Sequence, residues 1–494
     1  MKAKVPNSFF RYVSMFTLES MIINICYWAN YIAFDPSKND NGFSSKEQYT
    51  IDLGRKIFSS TVTILQTWLI DILYYVIDYN KYGSKVISKE ETLHLINLYT
   101  EYADEIDKTN LKRKSDTILY VMSFFGEQSR FQTSALFFEE FSREKYILDE
   151  LSQHSTRGLR IGIKFKEEFK KITGYSTDEY SALILFIFNL FNNSDSIIDI
   201  RRLKRLLKSE NELFSFENIL GVIDSNSVEI SEIRESAFKR QIFYSKPFIK
   251  INSLYIASNP YLILSLFSSS NYWVMRNEYC FNKNNSQDFI NAFGYYFEDY
   301  LDEVLSRYLT EVQYTRIPEN KNKQADLYIK LNDIDILLEQ KSALSMLGIK
   351  QSHPDLNALK KHMDIHWRKA VKQLESSQKD MSLEKPIKII LVYEDYFKSS
   401  CLDEFFRINT DLINDNKYWL VTIGEFEMLL YLYKHNNELF AKIVKEKDSI
   451  ETNHLNTHRE LRQLFHKYGI EKNEHLKESG IYENMFEHIK KMCN

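Results

Sequence analysis

Two acids, a lysine and the turn between them are the residues of this chain best suited to chemistry. In the stretch ADLYIKLNDIDILLEQK, residues 325–341, Asp326 and Glu339 lie at matching distances from Asn332-Asp333, and Lys341 follows two residues after the second acid. Asn and Asp tolerate positive φ in a two-residue turn, and β-forming runs flank them on both sides. A turn there sets Leu331 opposite Ile334, Lys330 opposite Asp335, Ile329 opposite Ile336, Leu327 opposite Leu338 and Asp326 opposite Glu339. One face of the hairpin is then apolar and the other holds the Lys–Asp and Asp–Glu pairs, so alternation and turn chemistry agree on one register.

Residues opposite each other in such a pair have Cβ atoms about 5 Å apart, and Lys341 projects from the face of Glu339. Two acids that close repel. Without a cation between them, one carboxyl should hold a proton or the strand ends should splay. A divalent ion removes the conflict. Mg²⁺, with Mn²⁺ as a substitute, prefers oxygen donors, so two carboxylates, a strand carbonyl and a phosphate oxygen suit it, with Asp326, Glu339 and Gln340 as the protein ligands. Such an ion polarises a phosphoryl group and acidifies bound water, and Lys341 would orient that water or stabilise charge developing on phosphorus. The chemistry expected is metal-dependent phosphodiester hydrolysis. An acid-x-Lys triplet alone means little: Glu168-Phe169-Lys170 and Asp415-Asn416-Lys417 are others, and neither has an acid-bearing hairpin partner.

The segment resembles the PD-(D/E)xK nuclease superfamily, with its restriction-endonuclease-like fold. Ala325-Asp326 stands where that family has Pro-Asp, and Glu339-Gln340-Lys341 where it has Asp/Glu-x-Lys. The Pro is replaced by Ala, which leaves the acid intact. The family order of helix, three-strand meander, helix, strand is followed over roughly 286–435. Residues 288–309 read as a helix with a buried stripe of Phe297, Tyr300, Leu301, Val304, Leu305 and Tyr308. The resemblance implies that Glu298, at the edge of that stripe, supports the metal site. Residues 364–379 read as a second helix on which Lys369 and Gln373 share a face, and Gln373 is implied as an orienting group. The apolar runs 386–394 and 417–423 read as buried strands.

At 494 residues the chain exceeds what one core usually supports. Its 44% hydrophobic content supplies large cores, while 13 Gly and 7 Pro favour long helices over loop-rich β architecture. Cys26, Cys280, Cys401 and Cys493 show no paired spacing, so a disulfide framework or zinc knuckle is not expected and the cysteines read as thiols of a cytoplasmic protein. Arg11 interrupts the first apolar run, so no signal peptide is expected, and no stretch is long enough to span a membrane. A net charge of −4 confines nucleic-acid contact to local patches. One is Arg201, Arg202, Lys204, Arg205 and Lys208, on a short helix whose Leu203, Leu206 and Leu207 should face inward. The other is Lys360, Lys361, Arg368, Lys369 and Lys372, beside the acids. His362 and His366 have helical metal-pair spacing but no third ligand.

The fold expected is multidomain: a mainly α-helical part over 1–245, a short hairpin and helix connector over 246–285, an α/β nuclease core with a mixed sheet flanked by helices over 286–435, and a helical appendage over 436–494. Residues 8–33 and 52–80 read as helices separated by a loop at 35–45, and 90–240 as mostly helical. The first half shows no phosphate loop, nucleophile elbow or metal cluster, so its role stays open among recognition, sensing and oligomer formation. With no ATPase motif, any motor or sensor must be a partner protein. The function expected is a Mg²⁺-dependent DNA endonuclease, with phage defence or restriction implied by the resemblance alone. The alternatives are an inactive nuclease-fold protein that binds nucleic acid or serves assembly, and the same chemistry on RNA.

Overall fold

A computed structural model describes residues 7–33, 62–79, 82–111, 127, 134–207, 212–236, 239–318, 324–342, 344, 356–394, 399–409, 411–412, 418–451, 460–484, 487 and 490. The expected loop at 35–45, the beginning of the 52–80 helix, Lys208, the loop holding Gly348 and Pro354, the Asp415 triplet and Cys493 lie outside these residues.

Apolar positions three and four apart form the helices Leu18–Ala33, Val62–Asp78 and Lys89–Leu111. The first is preceded by Asn7–Val13, with a break between the two where Phe16 bridges Lys85. The next large helices are Ser134–Lys145, Thr177–Asn192 and Pro260–Asn277. Between them lie four short strands, β1 (Ile197–Asp199), β2 (Ser227–Glu229), β3 (Phe248–Ile251) and β4 (Leu254–Ala257), in the order β1-β4-β3-β2. The β3–β4 hairpin turns at Asn252, whose φ is 54°. β1 and β2 interrupt a region expected to be helical; three residues each, they are too short to show a two-residue period.

A second sheet contains β5 (Tyr314–Arg316), β6 (Leu327–Leu331), β7 (Ile334–Lys341), β8 (Ile387–Val392) and β9 (Tyr418–Thr422) in that order. β5, β6 and β7 form an antiparallel meander; β7, β8 and β9 run parallel. The two sheets organise the packing into layers. Val228, Ile249 and Ile256 send one face of the four-stranded sheet into a core with the first three long helices. Ile198, Phe248, Tyr255 and Ala257 send the other into a core that continues through the Ser286–Tyr308 helix to Leu327, Ile329, Leu338, Ile389 and Val421. The far face of the five-stranded sheet, with Leu337, Ile390 and Leu420, is covered by Leu359, Trp367, Ala370 and Leu374 of the 356–380 helical stretch and by Phe405. The chain is thus mixed α/β, mainly helical, with no closed barrel among the described residues. No described helix is long and apolar enough to cross a membrane.

The helices Ile423–His435, Asn437–Glu451, Leu461–Lys467 and Glu474–Glu478 join the middle core through Phe426, Phe440, Leu461 and Leu476. A buried network fixes them. Arg143 donates from Nε and Nη2 to both oxygens of Glu427 at 2.6 and 2.7 Å, and the Tyr300 hydroxyl donates to the same carboxylate at 2.7 Å. Tyr308 bonds His475 Nδ1 at 2.9 Å. Burial would neutralise Glu427, yet Arg143 and Tyr300 hold its carboxyl below the ordinary range.

Candidate functional site

The acid-bearing hairpin is positioned by its turn. Asn332 has φ 53°, and the observed register pairs Leu331 with Ile334, Lys330 with Asp335, Ile329 with Ile336 and Leu327 with Leu338. The ladder stops there. Asp326 sits at a bend just outside β6, so its expected opposition to Glu339 is not continued as a ladder pair. Its carboxylate instead accepts the Gln340 N–H at 2.7 Å.

The charged face is solvated at its Lys330 end but not at its Glu339 end. Leu337 and Tyr328 lie between the Asp335 and Glu339 ends of it, and the 356–380 stretch covers the latter end, leaving Glu339 2% exposed. Burial pushes the Glu339 carboxyl up to about 8, against the pull of Lys341 and with a further push from Asp326. Burial also raises Asp326, opposed by the Gln340 N–H and by Lys341, Arg316 and Lys369. The Asp326 main chain nevertheless stays on the sheet, its N–H donating to the Leu338 carbonyl at 3.1 Å, so the strand end does not splay and the repulsion between the acids falls on the raised carboxyl of Glu339.

Lys341 donates to Glu339 Oε1 at 2.6 Å. Glu339 Oε2 is buried without a partner, as are Oε1 of Gln340 and Oε1 of Gln373. Strand alternation sends the Gln340 side chain to the opposite face from Glu339. Because Tyr393 N–H bonds the Lys341 carbonyl on the β8 side, the Gln340 main chain faces β6, where its N–H meets Asp326. Gln340 can therefore serve the site through its main chain rather than its amide.

Helix Lys369–Asp380 holds the approach to Asp326. Gln373 Nε2 donates to the Gln324 carbonyl at 2.9 Å, and Ser377 accepts the Ala325 N–H at 2.8 Å. Lys369, at the start of that helix, is exposed, yet its charge lowers both Asp326 and Glu339. A π-helical turn, Asp364–Arg368, precedes it and carries His366, whose ring lies 4.5 Å from that of His362. Burial and the charges of Lys341 and Lys369 keep His366 neutral to lower pH than usual. Lys361 and Lys372 are exposed and Lys360 is half-buried. Arg368 is engaged by Asp364, Asp411 and Asn409.

On Ser286–Tyr308, burial raises the Glu298 carboxyl, opposed by Arg157 and Arg316, with a further push from the charge of Asp326. The Glu298 carboxylate is taken by Arg157, and its carbonyl by Arg316 Nη2 at 3.0 Å. Sequence reasoning missed Arg157 and Arg316 as site residues. Arg157 is 141 residues from Glu298 and no local pattern marks it; Arg316 could have been found from β5, where it pairs with Leu327.

The Arg201, Arg202, Lys204 and Arg205 patch lies elsewhere, on helix Ile200–Leu206 beside β1, capped by Asp199, and its four cations are exposed. Leu203 is buried as expected and Leu207, at the C-cap, is half-buried against the same core, but Leu206 is 58% exposed.

Among the described residues no group of three or more His, Cys, Asp or Glu gathers as a metal cluster. The donors that could hold a cation are hard oxygens: the carboxylates of Asp326 and Glu339, one with a buried orphan oxygen, and the Gln340 carbonyl. This set fits Mg²⁺ or Mn²⁺ rather than zinc. No protein-family model, curated protein or solved structure matches the chain.

Proposed function

We propose that the chain is a metal-dependent nuclease of the PD-(D/E)xK type acting on DNA. What supports the reading is one observation: Glu339 is buried with one oxygen on Lys341 and the other without a partner, next to Asp326. A buried acid in that condition is costly unless it serves a purpose. The order of helix, meander, helix and strand around it agrees with the resemblance. Asp326, Glu339 and the Gln340 carbonyl would hold Mg²⁺ or Mn²⁺. When bound, the ion would supply Lewis-acid polarisation of the phosphate and a more acidic water.

The chain's own residues divide the remaining work. Lys341, 13% exposed and fixed by Glu339, is placed to orient a water or to stabilise charge on the phosphoryl oxygens. Gln373 and Ser377 fix the main chain entering Asp326, and Glu298, paired with Arg157, stands beside that acid on the Ser286–Tyr308 helix. Lys369, Lys372 and Lys361 offer exposed cations for the phosphate backbone next to the acids.

Cleavage of circular and linear duplexes, single strands and RNA, each with Mg²⁺, Mn²⁺ or EDTA, tests the reading with Glu339→Gln as control. Metal-dependent DNA cleavage by the parent, lost in the variant, is expected. Equal rates for both proteins would overturn it, preferential cleavage of RNA would move the substrate class, and DNA binding without metal binding would leave a nucleic-acid-binding protein on a nuclease-like scaffold.

A further inference from the structure

We infer that Arg157 is a positioning residue of the candidate site, supplied by the helical first half of the chain, that holds Glu298 in reserve as an additional carboxylate for the metal. The inference rests on the nuclease reading above. Arg157 spreads its guanidinium over three acids of the Ser286–Tyr308 helix: Nη1 binds Glu298, while Nη2 lies 3.1 Å from Asp299 and 3.5 Å from Asp302. The charge of Asp326 acts on the first of these acids.

The segment that carries Arg157 is fastened to the helix. A Cβ on Gly158 would stand 2.1 Å from Tyr296 Cε1, so the main chain there lies directly on a fully buried ring that cannot retreat. Tyr296 in turn donates from its hydroxyl to the Ile163 carbonyl at 3.3 Å, and Ser155 Oγ accepts the Gly158 N–H at 3.0 Å. Arg316 fixes the other side, donating to Asp302 from Nε at 2.9 Å and to the Glu298 carbonyl. The helix and the main chain that carries the arginine are therefore firmly placed, while the ion pair between them is not locked: the Arg157 side chain is 36% and that of Glu298 28% exposed. Partly exposed pairs of this kind contribute little to stability, and one carboxylate can be exchanged for a stronger cation without unfolding the protein.

Coulomb's law sets the direction. A divalent ion held by Asp326 and Glu339 attracts Glu298 more strongly than a single guanidinium does, and Arg157 opposes that transfer. Freeing Glu298 should therefore tighten metal binding, and the gain should pass through Glu298 itself.

Mn²⁺ binding to the full chain, followed by calorimetry and by electron paramagnetic resonance of the free ion, tests this in parent, Arg157→Gln, Glu298→Gln and the double variant. About tenfold tighter binding in Arg157→Gln, absent from the double variant, with little change in Glu298→Gln, is expected. Arg157→Lys, which keeps the charge but cannot fork across two acids, should lie between and serves if Arg157→Gln does not fold. Unchanged or weaker binding in folded Arg157→Gln, or a gain that persists in the double variant, overturns the inference while leaving the nuclease reading intact. Absence of Mn²⁺ binding in every protein, including Arg157→Gln, overturns the nuclease reading itself.

Discussion

Lys341 Nζ lies 2.6 Å from Glu339 Oε1, and the second oxygen of that carboxylate is buried with no partner. A lysine contact would ordinarily keep a carboxyl ionised, but here burial prevails and moves Glu339 from 4.5 to about 8. The folded protein then binds a proton that the unfolded chain has released between those two values. Stability from this group is fully present below pH 4.5 and is lost as pH rises towards 8, by up to about 5 kcal/mol in metal-free protein. Urea melts in EDTA from pH 5 to 8.5 should show this decline in the parent and a flatter profile in Glu339→Gln; equal slopes would mean that Glu339 is not the group responsible. Metal must displace the same proton, so Mn²⁺ affinity should climb up to about tenfold per pH unit below 8.

Lys341→Met separates metal binding from chemistry. Removing the cation frees Glu339 Oε1 and deletes a charge that opposes a divalent ion, so Mn²⁺ binding should be retained or strengthened. Cleavage should fall by about 10²–10³-fold, the usual loss when one stabilising donor is removed from a reacting phosphate or carbonyl. Calorimetry and plasmid nicking on the same preparation check both halves. Loss of binding together with cleavage would make Lys341 a structural partner of Glu339 instead.

The hairpin was readable because its information is local: Asn332 supplies the left-handed turn, and alternation leaves only one register that buries Leu327, Ile329 and Leu338 together. The helix that bears Glu298 and the buried β8 and β9 were readable for the same reason. Other features depend on contacts that no window of sequence contains. Asp326 lies outside the regular ladder with its carboxylate on the Gln340 N–H, and the Glu339 end of the charged strand face is covered by a helix arriving from residues 356–380. Strands β1 and β2 exist only as edges completed by the β3–β4 hairpin, and Arg157 reaches the site across 141 residues. The cationic residues were visible by type, but only packing reveals that Arg368 is spent on Asp364 and Asp411 while Lys369 remains exposed beside the acids.

Glu427→Gln should unfold the connection between the first half, the Ser286–Tyr308 helix and the chain's last helices. Arg143, 4% exposed, would keep its charge in a dry core with only a neutral amide opposite. Breaking a buried pair by removing one partner costs about 3–5 kcal/mol. Thermal melts should show that loss, whereas Glu167→Gln, which breaks an exposed ion pair with Lys164, should change stability by less than about 1 kcal/mol. A Glu427→Gln protein as stable as the parent would show that the network is dispensable.

Gly158→Ala tests the fastening of Arg157 without altering any charge. The added methyl would meet Tyr296 Cε1 at 2.1 Å, and that ring is 0% exposed, so the segment rather than the ring must move. Overpacking of this kind costs about 1–3 kcal/mol, which a urea titration resolves. The same displacement draws Arg157 away from Glu298, so the surviving folded protein should bind Mn²⁺ more tightly than the parent, as Arg157→Gln should. Destabilisation with unchanged Mn²⁺ affinity would mean that Gly158 serves packing alone and that the guanidinium follows Glu298 wherever the segment goes.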